Sequence, residues 1–194
     1  MGGVRAQVVL NPRAQFDVAV RLREGRATIG EIYAFVSGLY FRGKLVYVDA
    51  FASPPPGVPG AMVIVPGLGL IPPSTILTLD QLAAISAIDV AEDNDHFTAP
   101  LLRDAAQMEE QAGPDCQYVL LGSVATPKYT TPLLGLWGER LLFPTEFLGR
   151  GDMSRGGLML RCARSRSELQ YRPVIGAGKR GSRPPKLEPW KPEG

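Results

Sequence analysis

The chain has 194 residues, 21 Lys and Arg against 19 Asp and Glu, and a formal net charge of +2. With 45% hydrophobic and 21% charged residues it is ordinary for a globular protein, and its length permits a core without disulfide or metal staples. Its 22 Gly and 18 Pro amount to about a fifth of the chain against roughly an eighth in average usage, which argues against a long bundle, a coiled coil or a helical solenoid.

Other classes fall away quickly. The single histidine is His96, and the two cysteines, Cys116 and Cys162, form no Cys-x-x-Cys pair. A structural zinc site and a two-histidine metal centre are therefore not expected, and neither a metal nor a cofactor is assigned. No apolar run approaches the ~18 residues of a membrane span. The first residues lack a basic region followed by an apolar stretch, so a cytoplasmic location is expected.

In chain order, Val8-Val9-Leu10 is a short apolar run ended by Asn11-Pro12. Phe16, Val18, Val20 and Leu22 alternate and predict a half-buried strand. Glu31 to Val36 is nearly continuous in apolar residues and predicts a strand buried on both faces. Leu39 to Ala52 permits two structures. As a helix it sets Tyr40, Lys44, Tyr47 and Phe51 on one side; as a strand, Leu45 to Val48 pairs back as a hairpin. Val-Tyr-Val and Gly43 tip the choice towards the strand.

Ser53 to Gly60 is an extended, proline-rich loop, and Ala61 to Val65 is a further buried strand. Thr78-x-x-Gln81 matches a capping box and starts a helix to about Ile88, burying Leu82 and Ile85. A second helix is expected from Thr98, with Leu101, Ala105, Met108 and Ala112 as its buried stripe and Gly113-Pro114 as its stop. Gln117 to Leu121 predicts a third buried strand, Thr131 to Trp137 a short helix, and Arg140 to Phe143 a short strand. Pro144 to Gly157 reads as an irregular loop. Leu158 to Ala163 and Leu169 to Val174 then read as an antiparallel hairpin.

Buried strands alternating with capped helices imply an α/β fold: a mixed, largely parallel sheet flanked by helices, with a C-terminal antiparallel hairpin. Residues 1–175 would form that single domain. Residues 176–194 would be a basic Pro/Gly-rich tail, disordered or docked on a partner.

Charge is unevenly spread. Residues 78–149 carry three basic and eleven acidic residues, and residues 150–194 carry eleven basic and four acidic ones. Ligands of open α/β sheets bind beyond the carboxyl ends of the strands, so loops there are the candidate sites. Gly149-Arg150-Gly-Asp152-Met-Ser154-Arg155-Gly-Gly157 supplies two guanidinium groups, a carboxylate, a hydroxyl and four glycines. Arginine forks match phosphate oxygens, and glycines let backbone N–H groups approach an anion. Ser123 and Lys128 follow the third strand. Ser37, Arg42 and Lys44 set a hydroxyl and two cations beside Tyr40 and Phe41. The acidic turn at Asp89, Glu92, Asp93 and Asp95 reads as a solvated helix connection, without EF-hand spacing. No P-loop, nucleophile elbow or complete dinucleotide fingerprint occurs.

The expected function is therefore binding of a phosphorylated small molecule such as a nucleotide, with hydrolysis or group transfer as its enzymatic extension. Ser37, Arg42, Lys44, Lys128, Arg150, Ser154 and Arg155 would bind it. Asp152, Glu31 and Ser123 would be the catalytic candidates. The alternative is a non-enzymatic interaction protein that docks a protein partner through the tail. Nucleic acid comes third, because aromatic interleaving in the tail is limited to Trp190.

Overall fold

The computed structural model describes residues 4–178, 181–182 and 184–187. It is a mixed helix-and-strand fold dominated by helices. Four come first: α1 (Val4–Leu10), α2 (Asp17–Arg23), α3 (Ile29–Ser37) and α4 (Leu39–Phe51).

Two of the expected strands are among them. The segment at Phe16 to Leu22 is α2. Its buried residues are Val18, Ala19 and Leu22, a helical spacing, and Phe16 stacks on Phe35 at 4.7 Å between ring centroids. Glu31 to Val36 lies in α3. The deciding signal is Thr28-x-x-Glu31: Thr28 accepts a hydrogen bond from the Glu31 N–H, and the Glu31 carboxylate accepts one from the Thr28 N–H. An apolar run that is buried all round suits a core helix as well as a strand, and here the cap arbitrates. Leu39 to Ala52 takes the helical alternative, so the expected hairpin at Leu45 to Val48 is not formed. Gly38 makes the break between α3 and α4 with a φ of 59°, a left-handed value that suits glycine.

A small hairpin follows. β1 (Val63–Val65) pairs antiparallel with β2 (Gly69–Ile71). α5 (Leu79–Ala87) begins at the Thr78 capping box and buries Leu82 and Ile85, as its sequence predicts. α6 (Asp95–Ala112) carries the expected stripe, but Asn94 and not Thr98 is its cap, and Thr98 is buried in the first turn. The loop at Pro66 to Gly69 faces α6. A Cβ on Gly69 would lie 2.1 Å from Asp104 Oδ2, the oxygen that accepts the Leu70 N–H at 2.9 Å.

The second sheet has three strands: β3 (Tyr118–Val119), β4 (Leu141–Pro144) and β5 (Tyr171–Pro173), in the order β3-β4-β5. β3 and β4 are parallel over the pairs Tyr118–Leu141 and Val119–Leu142; β4 and β5 are antiparallel. A largely parallel sheet is not what this chain builds. Its apolar segments meet mostly as helices, and the strands that remain are too short to form a layered sheet.

α7 (Pro127–Trp137) starts before the expected Thr131, with Pro127 in its first turn. α8 (Asp152–Ser165) replaces both the end of the expected loop at Pro144 to Gly157 and the strand at Leu158 to Ala163. The expected C-terminal hairpin is therefore not formed. β5 pairs with β4 instead. In the described part of the tail, the Pro185 carbonyl accepts a hydrogen bond from Arg150, and the Ser182 carbonyl lies over Gly149. Lys179, Arg180, Arg183 and Trp190 fall outside the described residues.

Three apolar clusters form the core. One joins α1, α2, α3 and α5 to β1. The second joins α6 and α7 to β2, β3 and β4. The third, around Tyr40, Tyr47, Phe147, Met159 and Leu169, fills the seam between α4 and α8. At that seam the backbones touch. A Cβ on Gly43 would lie 2.7 Å from the Gly156 carbonyl oxygen, and one on Gly156 would lie 2.6 Å from that of Leu39. Gly156→Ala should therefore destabilise the fold by about 1–3 kcal/mol. Gly157→Ala, one residue on with no contact closer than 3.6 Å, should be neutral or stabilising by up to ~1 kcal/mol. Urea denaturation of the two variants against the native chain checks the opposite signs.

Candidate functional site

The seam that packs α4 on α8 brings their first turns together, and the charged residues gather there. Lys44 lies over the Tyr40 ring, with Nζ 4.2 Å from its centroid, and 5.7 Å from that of Phe41. Burial pushes its ammonium group down to about 8; the Asp152 carboxylate pulls it back up and the Arg155 guanidinium pushes it further down. Lys44, Asp152 and Arg155 thus act on one another across two helices.

Arg155 is held in place by its own fold. Nε and Nη2 donate to the Phe147 carbonyl at 3.2 and 3.1 Å, and Nη1 lies 3.7 Å from Asp152. Its guanidinium also sits 5.4 Å from the Phe147 ring centroid. Arg150 donates through Nε to the Glu146 carbonyl at 3.0 Å, and through Nη1 to Ser154 Oγ at 3.2 Å and the Pro185 carbonyl at 3.4 Å. The glycine-rich segment is therefore laced by both arginines into the start of α8. Gly151 occupies the N-cap position of that helix and offers no side chain to its first N–H groups.

Aromatic residues flank the cluster. The Tyr40 hydroxyl donates to the Leu121 carbonyl at 3.3 Å, and burial raises its pKa, opposed by the Arg155 charge. Tyr33 and Tyr129 are pushed up mainly by burial as well, and the charge of Tyr129 adds to the shift of Tyr33. Lys128 Nζ lies 5.1 Å from the Tyr129 ring centroid.

The expected site residues thus divide. Lys44, Arg150, Asp152, Ser154 and Arg155 share the α4–α8 junction. Glu31 is elsewhere: its carboxylate caps α3 and pairs with Arg21 at 2.7 Å, and those contacts, the Thr28 N–H first, hold it below the usual carboxylate range. Ser37 is exposed at the end of α3, and Arg42 is exposed on α4, roughly half a turn from Lys44. Ser123 Oγ accepts the Ala125 N–H at 3.3 Å in a local turn. Tyr129 was not among the expected residues; its signal was its adjacency to Lys128.

Asn94 caps α6 and donates to the Asp89 carbonyl at 2.7 Å, so the acidic turn is a helix connection. Among the described residues, no group of three or more His, Cys, Asp or Glu is placed to hold a metal ion, and no helix is long and apolar enough to cross a membrane. No protein-family model, curated protein or solved structure matches this chain.

The cluster has a measurable signature. In an unfolded chain a lysine titrates near ~10.4, whereas Lys44 in the fold does so at about 8. Between those values the unfolded state holds a proton that the fold has released, so this group's contribution rises with pH in that window. Below it, the full cost of the desolvated ammonium group is present. Lys44→Met should therefore melt above the native chain at pH ~7, and the difference should shrink as pH approaches ~10. Circular-dichroism melts of both chains across that range check this.

Proposed function

We propose that the chain binds a small phosphorylated molecule at the junction of α4 and α8. The observation that supports this is the pairing of Lys44 with Arg155 beside Asp152, at a helix start that lacks a side-chain cap. Two cations held near each other in a partly desolvated place repel, and an anion between them relieves that cost. Unpaired N–H groups at a helix start add attraction for the same charge. Tyr129, half-buried beside Lys128, supplies a ring face suited to a planar group such as a nucleobase.

Within this proposal Lys44 and Arg155 hold the anion, and Arg150 with Ser154 shapes the start of α8. Asp152 orients the bound group or offers a carboxylate for hydrolysis or group transfer. Glu31 is committed to its cap and its ion pair, so it contributes no acid–base chemistry here. Binding is thus better supported than catalysis.

The test is thermal denaturation with inorganic phosphate and adenosine monophosphate. A ligand at a hundred times its dissociation constant stabilises by about 2.7 kcal/mol. The expected result is a saturable rise in Tm at neutral pH. That rise should fade as pH climbs through about 8, where Lys44 loses its proton, and Lys44→Met should abolish it. No rise in the native chain, or an equal rise in Lys44→Met, would overturn the proposal.

A further inference from the structure

Beside the C-terminal half of α4 lies a cavity of about 590 Å³ with a mainly apolar lining that includes Phe51, Met108 and Leu133. Strands of both small sheets line it. β1 contributes Ile64, with Met62 just before it, and β3 with its flanks contributes residues 117–121.

Each of these strands has one edge paired and one open. The Leu70 N–H donates to Asp104 at 2.9 Å and not to β1, so the Ile64–Leu70 pair is a non-hydrogen-bonded one. The Ile64 N–H and C=O therefore point away from β2. In the other sheet the Leu120 N–H donates to the Leu142 carbonyl at 2.8 Å. Peptide groups alternate in direction along a strand, so the Val119 N–H and C=O point away from β4. β3 ends the order β3-β4-β5, and β1 pairs with β2 on one side only. Among the described residues these four backbone groups have no hydrogen-bond partner. Val119 is also exposed, a large apolar residue on an open edge. Unpaired edges of this kind recruit a further strand unless something covers them.

Charge and length narrow the occupant. Asp115 and Glu168 line the cavity, and no Lys, Arg or His does. At ~3.3 Å per residue, the wall formed by residues 117–121 has the length of an extended segment of about four or five residues.

We propose that an extended, basic peptide segment of a partner protein docks here as an added strand, pairing with the open edges at Val119 and Ile64 and setting its apolar side chains on the cavity lining. The site is separate from the anion site of α4 and α8.

The probe is the peptide acetyl-Lys-Val-Lys-Val-Lys-amide, titrated calorimetrically into the full chain. Saturable one-to-one binding is expected. Amide hydrogen exchange at Val119 and Ile64, read by NMR, should slow at least tenfold in the complex, which side-chain docking alone would not cause. N-methylation of both peptide valines keeps the side chains and removes two donors, and should weaken binding at least tenfold. Replacing its lysines by glutamates should weaken it at least fivefold. Val119→Pro removes an N–H that the ladder to β4 does not use, so the sheet is kept while binding falls about tenfold. Asp115→Lys, at an exposed position, should cost about threefold and serves as the test should Val119→Pro not fold. Absence of saturable binding by the folded chain would overturn the proposal. So would unchanged exchange at Val119 and Ile64, equal binding of the N-methylated or the acidic peptide, or self-association of the chain that excludes the peptide.

Discussion

The contact between Gly43 and Gly156 sets the terms for the rest of the structure. Two helices approach until backbone meets backbone, with no room for a Cβ on either side. That closeness is what lets Lys44 and Tyr40 of one helix share electrostatics with Asp152 and Arg155 of the other. A larger residue at either glycine would separate the helices and dissolve the cluster before touching any charged group. Dispersion gains from close packing stabilise the seam, and the buried Met159, Phe147 and Tyr47 extend it along both helices.

Close packing also explains how the glycine-rich segment is used. Four glycines near two arginines suggested a flexible nest around a ligand. The chain instead orders this segment with its own groups: Arg155 on the Phe147 carbonyl, Arg150 on the Glu146 carbonyl and Ser154. Main-chain carbonyls in an irregular turn need donors as much as a ligand's oxygens do. The arginines therefore hold the turn first, and Lys44, set over the Tyr40 ring, is not drawn into it.

How much of this was legible in the sequence depended on the signal. Capped, periodic helices were readable: Thr78 to Gln81 opened α5, and Leu101, Ala105 and Met108 traced α6. Uninterrupted apolar runs were not, because they lack the period that separates strand from helix. Glu31 to Val36 failed for that reason, although Thr28-x-x-Glu31 carried the same cap as Thr78-x-x-Gln81. Leu158 to Ala163 reads as a strand because the four preceding glycines and Ser154 have the composition of a loop, which hides the first turn of α8. The site split similarly. Residues local to one segment, Arg150 to Arg155, adjoin one another at the start of α8, as their sequence spacing implies. Their meeting with Lys44 depends on a tertiary crossing between glycines that no local pattern announces. Glu31 shows the converse: a carboxylate near an apolar run looked available, and a cap claimed it.

α4 links the two regions of distinct chemistry. Tyr40 and Lys44 face the charged junction, and Tyr47 and Phe51, further along the same helical side, face the apolar cavity. Leu121 stands between them: its carbonyl accepts the Tyr40 hydroxyl, and the residue lines the cavity. A helix that borders two regions holds both in register, and side chains on a packed helix are placed more accurately than side chains on loops. The glycine crossing fixes the N-terminal half of α4 against α8. The Tyr47–Tyr171–Glu168 chain and the Leu169 N–H fix the other half against β5. With both halves held, α4 cannot tilt to widen one region without straining the contacts that define the other. The charged junction and the apolar cavity are therefore preorganised by one rigid element, and each keeps its own chemistry because that element keeps them apart.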